Sequence, residues 1–145
     1  VGFLGRFQTS DAENGDYGLG YIWNSYRMFG GGANLTPGYF PPTTNWSYQV
    51  GVFDGSNARL YVNGVQQYST AVSGATLDRY GIYLGGGGWW NGKFNGNLDE
   101  GRIMATGASS NWVWASFMTM ASNSTFNSYG QVAAQLPLGP VLRLK

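Results

Sequence analysis

Apolar and polar positions alternate with a period of two in several short stretches of this chain, the pattern of strands that bury one face. The clearest run lies between Trp46 and Thr70. Tyr48, Val50 and Val52 fall on one side of a predicted strand, Asp54-Gly55-Ser56-Asn57 turns the chain, and Leu60 and Val62 share a face of the next strand. Asn63-Gly64 supplies the two-residue turn that hairpins favour, and Val65 to Thr70 completes an antiparallel meander. Upstream, residues 2–8 and 17–23 are predicted strands either side of the polar loop Thr9 to Asp16, and Tyr26 to Phe29 is a further short strand ending at Gly30-Gly31-Gly32. Ala33 to Thr44, with Pro37, Pro41 and Pro42, is predicted loop. Downstream, Tyr80 to Gly85 is a predicted strand, Gly86 to Gly92 a glycine-rich loop, and Lys93 to Met104 one long or two broken strands. Ser109 to Ala121 is the one predicted helix: Ser109 caps it, and Trp112, Val113, Phe117 and Met120 are spaced to share a face. Short strands, glycine-rich turns and a single helix near the C-terminus predict an all-β fold, an antiparallel two-sheet jelly-roll sandwich. Its expected core includes Tyr48, Val50, Val52, Leu60, Val62, Ile82, Leu84 and Ile103.

Composition narrows the class. With 145 residues the chain is expected to form one domain able to bury a core without cross-links. Charged residues are only 10% of it and the net charge is +1, while glycines number 24 and aromatics reach 17%. A neutral surface rich in amides and hydroxyls lacks the Lys and Arg that hold nucleic acid or anionic lipid. The chain has no Cys and no His. Thiolate nucleophiles, disulfides, the usual zinc and copper sites and the commonest general base near neutral pH are therefore excluded. A Cys-free chain of this kind fits an exported bacterial protein. It contains no apolar run of the ~18 residues that a spanning helix needs. It also opens on strand-like residues without a basic-then-apolar leader, so any export signal is expected to have been removed or to lie outside this sequence.

Three segments in order resemble the laminin-G-like jelly-roll modules of the concanavalin-A-like lectin/glucanase superfamily, of the bacterial cell-surface type. They are Trp46 to Gly64 (WSYQVGVFDGSNARLYVNG), Tyr83 to Met104 (YLGGGGWWNGKFNGNLDEGRIM) and Ser109 to Met120 (SSNWVWASFMTM). The resemblance implies two curved antiparallel sheets and a non-catalytic role in carbohydrate binding or adhesion outside the cell, the partner being a glycan or a cell-surface protein. Such modules generally carry further strands ahead of the segment matching Gly2 to Gln8. Residues 1–130 are thus expected to form a sandwich lacking the family's first strands, and 131–145 a tail or added edge strand. That tail, Gln135 to Lys145, alternates apolar residues after two prolines and suits pairing along a sheet edge of its own domain or of a neighbour. The alternative function is accordingly a structural subunit of a surface assembly or filament, completed by neighbouring chains; glycoside hydrolysis is a minor third reading.

The candidate chemistry follows from this frame. Glucanases of the superfamily carry a Glu-x-Asp-x-x-Glu strand motif, which is absent here. Asp99 and Glu100 are adjacent, so on a strand they point to opposite faces and cannot flank one glycosidic bond; they are expected to hydrogen-bond backbone or an arginine, Arg102 or Arg59. No catalytic residue is assigned. Asp11, Glu13 and Asp16 space carboxylates along a short loop as Ca²⁺ requires, or form a solvated acidic turn; calcium is an accessory of laminin-G-like modules, though no cofactor is required. Trp89, Trp90 and Asn91 sit among glycines, with Trp23 the further candidate. Their rings either stack on sugars while nearby amides hydrogen-bond, or plug the open end of the sandwich.

Overall fold

The computed structural model describes residues 2–6, 17–22, 25–30, 33–35, 45–72, 82–86 and 94–128. Within them lie eight strands: β1 (Gly2–Arg6), β2 (Tyr17–Ile22), β3 (Ser25–Gly30), β4 (Ala33–Leu35), β5 (Gln49–Phe53), β6 (Asn57–Val62), β7 (Val65–Ala71) and β8 (Ile82–Leu84). Two helices follow, α1 (Ser110–Ala121) and α2 (Asn123–Phe126). The strands form a five-stranded sheet in the order β4-β3-β2-β1-β8 and a three-stranded sheet in the order β5-β6-β7. Every pairing is antiparallel.

The meander forms by the turn chemistry its sequence carries. Asp54 Oδ1 accepts the N–H groups of Ser56 and Asn57 at 3.0 and 2.7 Å, folding the β5–β6 connection on itself. Asn63 and Gly64 both take positive φ, 51° and 78°, as a hairpin turn matched to strand twist demands. Pairing of β6 with β7 slips by one residue between Leu60 and Tyr61, leaving an extra residue in β7 as a bulge.

The two sheets share one apolar cluster. Tyr26 and Met28 of the larger sheet meet Ala58, Leu60 and Val62 of β6, with Leu19, Tyr21 and Phe53 packed around them. Gly51 permits this approach: a Cβ there would lie 2.9 Å from Met28 Sδ and 3.1 Å from Leu19 Cδ2. The other face of the small sheet is covered as well. Val52 and Tyr61 pack on Val113 of α1, with Tyr48, Val50 and Ala108 alongside, and Tyr48 stacks on Phe117 at a centroid separation of 6.3 Å. The described residues thus stack as sheet, sheet and helix, with β5-β6-β7 in the middle.

Several expectations need correction. Ala33 to Leu35 is strand, not loop: it pairs antiparallel with β3 in the register Gly30↔Ala33, Phe29↔Asn34 and Met28↔Leu35. Phe94 to Met104 is not strand; Asn-Gly-Asn has little β preference, and Glu100 sits at φ 49°, a left-handed conformation that interrupts an extended ladder. Leu60, Val62 and Val52 are buried, but Val52, with half-buried Tyr48 and Val50, faces the helix rather than the second sheet. Ile82, Leu84 and Ile103 are exposed, at 59%, 62% and 50%, because β8 is a three-residue edge strand and Ile103 lies in the irregular segment. The helix begins as predicted, with Ser109 Oγ accepting the Trp112 N–H at 3.2 Å. Of the four residues expected on one face, Val113 is fully buried while Trp112 and Met120 are exposed. Residues 131–145 lie outside the described residues.

Candidate functional site

The predicted ligand-binding residues Trp89, Trp90, Asn91 and Trp23, and the predicted calcium ligands Asp11, Glu13 and Asp16, lie outside the described residues. The base of the Trp89–Asn91 loop is described. Phe94 N–H donates to Gly85 O at 2.9 Å, just beyond the end of β8. Gly85 holds φ 71°, and a Cβ there would sit 3.3 Å from Leu98 Cδ1.

The described carboxylates are Asp54, Asp99 and Glu100. Asp54 accepts two backbone N–H bonds and pairs with the Arg59 guanidinium. The Asn57 and Ser56 amides, and after them Arg59, hold its carboxyl below the usual aspartate range. Glu100 Oε2 pairs with Arg102 at 2.5 Å, and Asp99 Oδ1 accepts the Glu100 N–H at 2.9 Å. The expected arginine partners are therefore divided: Arg102 serves Glu100, and Arg59 serves Asp54. Both Asp99 and Glu100 are exposed in an irregular segment, not placed on opposite faces of a strand. Among the described residues, no group of three or more His, Cys, Asp or Glu side chains is arranged to hold a metal ion.

Sequence reasoning missed an aromatic contact on the helical layer. Ser122 ends α1, its N–H bonding Met118 O, and starts α2 with φ −146° and ψ 42°. That kink returns Phe126 to Trp114, with ring centroids 5.5 Å apart and planes at 83°. The signal lay in the sequence as two aromatics twelve positions apart across a Ser-Asn break, a spacing that no single helical period links.

A laminin-G-like family model, described as the concanavalin A-like lectin/glucanases superfamily, matches residues 6–113. The chain belongs to that superfamily. The span shared with the superfamily runs from the end of β1 through the first turn of α1, so Trp114 and Phe126 lie beyond it. Among solved structures, the chain is similar to residues 221–444 of an S-layer domain-containing protein from Clostridium thermocellum ATCC 27405, at 17% identity and a TM-score of 0.47. That match covers 77% of this chain and 59% of the other. No curated protein matches. No helix among the described residues is long and apolar enough to cross a membrane.

Proposed function

We propose that the chain is a non-catalytic carbohydrate-binding or adhesion module of the concanavalin A-like superfamily, a jelly-roll sandwich that works outside the cell at a bacterial surface. The superfamily takes its name from both lectins and glucanases, so membership alone leaves binding and hydrolysis open. The observation that carries the choice is the state of the described carboxylates. Each is engaged within its own short segment, Asp54 by two amides and Arg59, Glu100 by Arg102, and Asp99 by the next residue's N–H. Glycoside hydrolysis needs a carboxylic acid that keeps its proton near neutral pH beside a second carboxylate about 5–10 Å away. Asp54 is pushed the opposite way, toward the ionised form. Binding through Trp89, Trp90, Asn91 and Trp23 asks only for exposed rings and amides, with a glycan or a glycosylated surface protein as partner. The reading requires no cofactor; a calcium ion at Asp11, Glu13 and Asp16 would act by ordering that loop, and a melting temperature raised by calcium and lowered by chelator would register it.

Electrophoresis through gels containing neutral polysaccharides tests the proposal. Retardation of the wild type that is lost in Trp89→Ala or Trp90→Ala and kept in Glu100→Gln supports it. Release of reducing sugar from the same polysaccharides, abolished by Glu100→Gln, sinks it.

A second reading, a structural subunit completed by neighbouring chains, is favoured by β8. All three of its residues, Ile82, Tyr83 and Leu84, are exposed on an edge of the larger sheet, the place where strands of another chain add. Sedimentation of the 145-residue chain separates the two: a monomer at all concentrations removes this reading.

A further inference from the structure

The Trp114–Phe126 contact is an unusual use of two large rings. Val113 fixes α1 to the small sheet and is fully buried. One residue on is about 100° further round the helix, and Trp114 there leaves 49% of its surface open. Phe126, itself 36% exposed, stands across it at 83°. Together they make a floor and a wall of aromatic surface.

The segment that carries both rings has amides and no charge. No Asp, Glu, Lys or Arg occurs anywhere from Ile103 to Leu142, although the outer face of a helix in contact with water ordinarily carries charge. Exposed Asn111 lies one turn before Trp114 on the same side of α1. Beside Phe126, Asn127 Nδ2 donates to Asn123 Oδ1 at 2.5 Å, which holds both amides in a fixed orientation.

We propose that Trp114 and Phe126, flanked by Asn111, Asn123 and Asn127, form a contact site for one ring of a neutral saccharide, built from residues other than Trp89, Trp90, Asn91 and Trp23. The inference rests on the carbohydrate-binding reading and adds a second locus to it. Size selects the ligand. Aromatic side chains bury about 150–250 Å² each when covered, so two rings exposed by a third to a half offer about 150 Å². A stable protein partner needs about 800 Å² per side. Two copies meeting through this corner would bury only about 300 Å² in all, less than a typical packing contact of up to about 800 Å². A single sugar ring, with an apolar C–H face and hydroxyls at its rim, fits both the area and the chemistry: faces stack and amides hydrogen-bond. Nucleic acid and anionic lipid would need cations that this stretch lacks.

The test uses the full chain in gels containing hydroxyethylcellulose, xylan, galactomannan or dextran, with circular dichroism to follow folding. For the polysaccharide that retards the wild type, Trp114→Ala is expected to weaken binding about tenfold or more, and Trp114→Phe to keep most of it. Hydroxyl-radical footprinting of the wild type, with and without that polysaccharide, gives a reading independent of whether Trp114→Ala folds: Trp114 and Phe126 become protected. Wild-type binding that is lost in Trp90→Ala but unchanged in Trp114→Ala, with no protection at Trp114, overturns this site and leaves the module's function standing. Failure of the wild type to bind any of the four overturns the carbohydrate reading, and this site with it.

Discussion

Val113→Ala decides whether the helix is part of the folded core or an appendage. Val113 is fully buried against Val52 and Tyr61, and the substitution removes two methyl groups. At about 0.8 kcal/mol each the transfer term is about 1.6 kcal/mol, and the void left between helix and sheet adds to it. Alanine is the better helix former by about 0.5 kcal/mol, which acts in the opposite direction. The net effect is a destabilisation of about 1–2.5 kcal/mol. For a urea slope of about 1–3 kcal/mol/M, the unfolding midpoint falls by about 0.3–2.5 M with the slope unchanged. Thr119→Ala is the matched control. Thr119 is exposed and its hydroxyl bonds back to Ala115 O at 2.8 Å, so alanine there removes only a helix-bending contact and raises the midpoint slightly. If Val113→Ala also raises the midpoint, helix propensity alone governs the position and α1 does not pack on the sheet.

Leu60→Ala, at a fully buried position of the inter-sheet cluster, is expected to cost about 2–5 kcal/mol in the same urea assay, more than Val113→Ala. Gly64→Ala and Gly55→Ala both force a side chain into left-handed backbone, at φ 78° and 91°, for about 1–2 kcal/mol each. Gly64→Ala should lose more, because its Cβ would lie 3.0 Å from the Phe117 ring whereas nothing stands within 4 Å at Gly55; the gap should narrow in a Phe117→Ala background, measured as a double-mutant cycle. Asp54 has a native carboxyl pKa held below the unfolded value, chiefly by the Asn57 and Ser56 amides. Its stabilisation is therefore present above the unfolded pKa and disappears as pH falls through the lower native one. The difference in melting temperature between wild type and Asp54→Asn should be full at pH 7 and vanish in strong acid; a constant difference across that range would contradict the assignment.

The meander was legible because its determinants are local. Period-two residues, an Asp that bonds its own turn and an Asn-Gly pair act within a few positions of one another, as does the Ser109 cap of α1. Burial of both faces of β6 was less legible, although Leu60-Tyr61-Val62 carries a trace of it: three consecutive large apolar residues suit a strand covered on each side. The strand expected at Lys93 to Met104 failed on the poor β preference of Asn95-Gly96-Asn97 and on the left-handed backbone of Glu100, the second of which alternation of residue types does not report. Superfamily membership could be read from three separated segments, yet the residues chosen from it for ligand binding fall outside the described part of the chain. The aromatic corner on the helical layer escaped because it depends on how two helices meet at Ser122, a tertiary fact with no periodicity of its own.

Coverage of β6 on both sides changes what holds its alignment. In a sheet with one wet face, a slip of one residue throws every apolar side chain into water, and that penalty sets the register. Here a slip would exchange Leu60 for Tyr61 between two covered faces, so that pair discriminates weakly, and it is half-buried Arg59, paired with Asp54, that would be forced into the inter-sheet cluster. Alignment must instead come from objects that cannot be exchanged: Gly51 opposite Leu60, where no side chain fits, the left-handed pair Asn63-Gly64, and Asp54 gripping Arg59 across the other turn. These few positions act as the notches of a key, and changes there would misalign the strand before they unfolded it.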